Sequence, residues 1–167
     1  MQARHPTHRT ETPESLSRSI SHMLEECRMV LPGIQALFGF QLVAVFNATF
    51  WTALNSDEQL VHYIAISLVT LSVVFVMAPA AYHRQATPSA VSKDFLLIST
   101  RLLTWSMFPL MGGILLDFYL VGKLLVQSAS ISFMLTAMLF AVFTLFWIVL
   151  PRSSVFQRWM AWSGRSN

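Results

Sequence analysis

Charged and titratable side chains gather at three places beside long apolar runs: Glu25, Glu26 and Arg28; Tyr82, His83 and Arg84; and Lys93, Asp94 and Arg101. Their types offer two kinds of chemistry. Carboxylates beside guanidinium groups can form ion pairs, Glu26 with Arg84 or Arg101 for example. An imidazole such as His83, which ordinarily titrates near neutral pH, could turn such a group into a proton- or ion-responsive gate. The plainer role is structural, because charges at helix ends fasten those ends together while Arg101 snorkels to the membrane interface. Glu26, Arg28, Tyr82, His83, Arg84, Asp94 and Arg101 therefore form a candidate polar cluster at the cytoplasmic face.

Candidate polar residues within the membrane are Gln35, Gln41 and Asn47. Gln41 falls near the middle of the first apolar stretch, where an amide should face other helices rather than lipid. At about 100° per residue the three are spread roughly 120° apart, so they do not line one pore stripe. No Asp, Glu, Lys or His is expected deep in a crossing, which argues against a proton relay within one protomer. His62 and His83 stand at opposite ends of one crossing, about 31 Å apart at 1.5 Å per residue, and cannot share a metal ion. Cys27 is the single cysteine, so the chain holds no intrachain disulfide. Hydrolase, metalloprotease, phosphate-loop and dinucleotide signatures are absent. The chain is therefore not expected to be an enzyme, and no catalytic, cofactor-binding or metal-ligating residue is assigned.

The elements that position these residues follow from composition. Of 167 residues, 54% are hydrophobic and 11% charged, against about a quarter charged in a soluble domain. No Asp, Glu, Lys or Arg occurs over 29–56, 59–82, 102–116 or 124–151, windows close to or above the ~20 residues that cross a bilayer core. The pattern predicts an all-α, transmembrane four-helix bundle with crossings at about 34–54, 60–81, 95–118 and 127–150, the last most strongly apolar over 131–150. Residues 1–12 read as a disordered tail. Over 13–31 the apolar residues Leu16, Ile20, Met23, Leu24, Cys27 and Leu31 recur at steps of three and four, predicting an amphipathic helix in the interface. Pro32-Gly33 should break it and turn the chain into the membrane. Pro109 and Gly112-Gly113 mark a candidate kink or hinge in the third crossing, and Ser128, Ser132 and Thr136, with Ala137 and Ala141, permit close helix approach. Residues 152–167, with Val155, Phe156, Trp159 and Trp162 among arginines, read as a second interfacial anchor. The first apolar run begins too late for a cleaved signal peptide and reads as a signal anchor.

Basic residues set the expected orientation. Ten of the eleven fall on the side of the termini and the middle loop, and Lys123 stands alone on the other. Both termini should therefore be cytoplasmic.

Two stretches carry a resemblance. Glu26-Cys27-Arg28-Met29-Val30-Leu31-Pro32-Gly33-Ile34-Gln35-Ala36-Leu37-Phe38 resembles the E-x-R-x-x-L-P-G-x-Q-x-L-F opening of a bacterial family of small four-helix membrane proteins of unknown function. Ala78 to Arg84 resembles the A-P-x-A-Y-H-R of that family, and Arg101-Leu102 looks similar, although Thr100 stands where Asn is the family's residue. The likeness covers roughly residues 20–120. It implies a multi-pass protein of the bacterial cytoplasmic membrane and no particular activity.

The expected function is a small structural, accessory or regulatory membrane component; the alternative is an oligomeric ion or proton channel, or small transporter, gated at the cytoplasmic face. The expected partners are the lipid bilayer and either a second copy or other membrane proteins. Nucleic acid is not among them, because no basic soluble face with interleaved aromatics is present.

Overall fold

The computed structural model describes residues 13–85 and 93–153. These form α1 (Pro13–Val45), α2 (Ala48–Ala53), α3 (Ser56–Gln85), α4 (Lys93–Val126) and α5 (Ala129–Thr144). α5 runs on through a π-helical turn (Leu145–Val149) and a closing turn (Leu150–Arg152). Four stretches are long and apolar enough to cross a bilayer, and the chain is an all-α, multi-pass membrane protein built as a four-helix bundle. Helix is the form that satisfies every backbone N–H and C=O where lipid supplies no partner. The long helices alternate in direction. The end where α1 starts and α5 finishes is termed the entry end, and the opposite one the far end.

α3 and α4 form the central pair, with α1 packed on α3 and more lightly on α4, and α5 packed on α4. The α3 seam buries His62, Ala65, Val69, Ser72, Val76 and Pro79, alternating steps of three and four that repeat every seven residues. α4 answers with Phe95, Ser99, Ser106, Gly113 and Leu120. Small residues let the two backbones approach closely. A methyl group on Gly113 would lie 2.9 Å from the Ala65 carbonyl oxygen and 2.6 Å from Val69 Cγ2. The Ser72 hydroxyl donates to the Ser106 carbonyl at 3.0 Å, tying the seam midway. On the other side of α4, the Ser132 hydroxyl donates to the Tyr119 carbonyl at 2.7 Å and sits against Gly122. The small-residue spacing of α5 thus serves packing at Ser132, whereas Ala137 and Ala141 are not buried.

The structure departs from the sequence reading in three places. First, Pro32-Gly33 does not break the chain, and α1 passes through it as one 33-residue helix. An interior proline costs about 3 kcal/mol in an isolated helix. Here one face of α1 packs from Ile20 to Gln41, with Cys27 and Ile34 against Val69 and Val76, and Ile20 and Met23 against Phe95. The stripe expected to lie in the interface instead contacts α4. Second, the first long helix ends at Val45, not Leu54. Asn47 caps the six-residue α2, its side chain accepting from the Thr49 N–H at 2.9 Å. Third, α4 continues to Val126, past the expected end near Phe118, and remains helical through Pro109 and Gly112-Gly113. The tail 1–12, residues 86–92 and the aromatic segment with Val155, Phe156, Trp159 and Trp162 lie outside the described residues.

Candidate functional site

At the far end α1, α3 and α4 each bring one polar side chain to a common point. Asp117 of α4 is the hub. Its Oδ2 accepts from Gln41 Nε2 of α1 at 2.6 Å. Its Oδ1 faces His62 Nδ1 of α3 at 3.0 Å, and His62 Nε2 faces the Gln41 backbone carbonyl, also at 3.0 Å. Gln41 and His62 are 4% and 7% exposed and Asp117 is part-buried, so the network lies largely inside the bundle. Phe50 of α2 covers the imidazole with ring centroids 5.2 Å apart. This lid is itself pinned, because Trp51 Nε1 donates to the Val45 carbonyl at 3.0 Å.

The start of α3 is held with comparable care. Asn55 Oδ1 accepts from the Glu58 N–H at 3.0 Å, and Glu58 Oε2 accepts from the Asn55 N–H at 2.8 Å. This is a reciprocal capping box. The other Glu58 oxygen, Oε1, receives Lys123 Nζ of α4 in an ion pair. Six residues beyond Asp117 in α4, this pair ties the same two helices a second time.

Both ring nitrogens of His62 face acceptors, and only a doubly protonated ring donates to both at once. With Asp117 ionised, that arrangement is a neutral pair completed by an amide. The Gln41 amide is oriented by the need to donate to a carboxylate, which leaves its Oε1 buried without a donor among the described residues. A cleft of about 240 Å³ lies alongside, lined by Phe40, Gln41, Phe50, His62, Asp117 and Leu120 among others. Among the described residues no group of three His, Cys, Asp or Glu side chains could hold a metal ion. What the arrangement can do is bind and release a proton between three helices.

Of the intramembrane residues singled out from sequence, the structure brings only Gln41 into this site. Gln35 is exposed, and Asn47 is the exposed cap of α2. The entry-end candidates Glu26, Arg28, Tyr82, His83, Arg84, Asp94 and Arg101 are all exposed. Among the described residues no ion pair joins Glu26 to Arg84 or Arg101. The residues there meet through rings instead, with Tyr82 stacked on Phe95 at 5.3 Å and His83 at 6.1 Å from the same ring.

Hydropathy alone places His62, Asp117, Glu58 and Lys123 at the ends of the crossings or in the loops beyond them; the structure keeps Glu58 in the first turn of α3 and Lys123 in the last turn of α4, but turns His62 and Asp117 toward each other between the helices. The helices run further than their apolar stretches, α3 beginning at Ser56 and α4 reaching Val126. A signal was nevertheless present. His62 keeps the heptad register of Ala65, Val69, Ser72, Val76 and Pro79, and Asp117 stands between Gly113 and Leu120 on the α4 stripe. That register buries His62 and leaves Asp117 part-buried beside it.

Comparison with known proteins locates the chain without adding an activity. A model of a family of unknown function (DUF6328) matches residues 9–151. No curated protein matches the chain. No solved structure matches it either.

Proposed function

The chain belongs to DUF6328, a family of unknown function, and from that premise we propose that it is a small regulatory membrane component in which His62 senses protons. One observation carries the proposal: a buried imidazole bridges Asp117 of α4 and the backbone of α1. Ionisable residues within membrane helices are costly and are kept mostly for function. When the ring gives up one of its two protons, one of its two bonds to α1 and α4 is lost. The protonated state holds the three helices together, and the deprotonated state frees α1 at its far end. The charged and titratable groups on the packed elements are Glu58 and His62 from α3 and Asp117 and Lys123 from α4. α1 contributes the neutral Gln41 and α2 the ring of Phe50.

Sensing fits this site better than conduction within one protomer. Between the far-end network and the entry end, Ala65, Val69, Ser72 and Val76 are 0–2% exposed, so a closely packed seam separates the two ends. In this reading the protein sits in a bacterial cytoplasmic membrane with the entry end inside, as the excess of basic residues on that side supports. The far-end site then reports on the outer compartment.

Spin labels on exposed Leu42 of α1 and Val121 of α4, in protein reconstituted into vesicles, test the proposal. Their separation should lengthen as pH rises through the titration of His62, and His62→Gln should abolish the dependence. Equal distance distributions from acid to alkaline pH would refute it.

A further inference from the structure

A cleft larger than the one beside the far-end network lies at the other end. A cleft of about 680 Å³ runs along the entry half of the bundle, with α1 as one wall, α4 as floor, and Trp147 closing part of the opposite side. It is within the range of built ligand pockets. Trp147 belongs to the π-helical turn Leu145–Val149, whose extra residue re-aims the side chains after α5. Such turns are rare and are frequent at functional sites. Phe143 braces the indole at a centroid distance of 4.7 Å.

The lining is sorted by depth. Ile34, Val76 and Leu110 form the deep end, while Ser19, His22 and Glu26 stand on the outer turns of α1. Hydroxyls along the floor are turned to their own helix. Thr100 donates to the Leu96 carbonyl at 2.8 Å, Thr104 to that of Thr100 at 2.9 Å, and Ser106 to that of Leu103 at 2.7 Å. The cleft is thus apolar inside with a polar mouth. His22 lies 3.9 Å from Glu25, whereas Glu26 forms no ion pair among the described residues. Among the described residues no Lys or Arg lines the cleft.

From Leu96 to Leu110 the floor of the cleft measures about 21 Å at 1.5 Å per residue. Half of a bilayer with its head groups is about 20–22 Å thick. The cleft therefore matches one leaflet in length, with its polar mouth at head-group depth. We propose that it holds one phospholipid of that leaflet, an acyl chain lying along α1 and α4 against Trp147, with a head group that carries a primary ammonium. The exposed Glu26 carboxylate receives the ammonium. A purely anionic head group would need a basic lining, which the described walls of this cleft lack. The inference stands apart from the far-end network and does not depend on His62.

Native mass spectrometry of the full chain, stripped of lipid and titrated with phospholipids of identical acyl chains, tests this. Phosphatidylethanolamine should give adducts at lower concentration than phosphatidylglycerol or phosphatidylcholine. Glu26→Gln should narrow that preference by about two- to fivefold, the range of an exposed ion pair. Thr104→Trp, which fills the cleft, should reduce adducts of all three. In a variant keeping Trp147 as its single tryptophan, brominated phosphatidylethanolamine should quench fluorescence more than brominated phosphatidylcholine. Identical adduct curves, a preference unaffected by Glu26→Gln, or equal quenching would overturn the proposal. So would a preference for phosphatidylglycerol, which would assign the lipid to the exposed Arg28 and Arg101 instead.

Discussion

Replacing Asp117 by alanine removes a group that α1 and α3 both bind. Two hydrogen bonds go with it, from Gln41 Nε2 at 2.6 Å and from His62 Nδ1 at 3.0 Å. Hydrogen bonds between membrane helices contribute about 0.6 kcal/mol on average and up to about 1.7. The greater cost lies in the groups left behind, since the side chains of Gln41 and His62 stay buried without their acceptor, at about 1–3 kcal/mol for each unsatisfied group. Partial relaxation toward the adjacent cleft lessens this, and the net loss should be about 2–4 kcal/mol. The assay is reversible unfolding in mixed micelles, read against Asp57→Ala, which removes an exposed carboxylate and should fall within about 0.5 kcal/mol of the parent. Asp117→Asn keeps one acceptor and gains an amide donor that faces the imidazole or the Gln41 amide, so it should lie between the two. His62→Ala added to Asp117→Ala should cost less than His62→Ala alone, by a coupling of about 1 kcal/mol or more. Were Asp117→Ala indistinguishable from Asp57→Ala, the network would not hold the helices and the sensing proposal would fall with it.

Glycine substitutions should divide by location. Gly113→Ala pushes a methyl into the Ala65 carbonyl and Val69 of α3 and should destabilise by about 1–3 kcal/mol, whereas Gly39→Ala meets nothing within 4 Å and should stabilise by up to about 1 kcal/mol; thermal unfolding in detergent reads both signs. Ser72→Ala removes the α3 to α4 bond to the Ser106 carbonyl and should cost about 0.5–1.5 kcal/mol in the same measurement. Lys123→Glu sets two carboxylates against each other across α3 and α4 and should lower the melting temperature. Adding Glu58→Lys restores an opposite-charge pair at the same place, so the double variant should melt above Lys123→Glu alone, less whatever the lost capping box contributes.

How much could be read from sequence follows from the range of each interaction. Four crossings, their all-helical form and their alternation were legible because the desolvation of backbone and side chains in lipid adds up over some twenty neighbouring residues. The burial of Gln41 was legible for the same reason, since an amide amid apolar neighbours must find a protein partner. Its partner was not. Gln41 and Asp117 are 76 residues apart in the chain, and His62 and Asp117 are 55 apart. Meeting depends on the axial register of three helices, which is set by where Ala65, Ser72, Ser106 and Gly113 let α3 and α4 close up. Local rules also misjudged Pro32, whose cost within one helix is offset by side chains of α3 and α4 that only the folded bundle supplies. The apolar stretches and their number belong to the sequence alone. The far-end network and the cleft beside Trp147 belong to packing, because each is made by side chains from different helices whose relative height no single segment encodes.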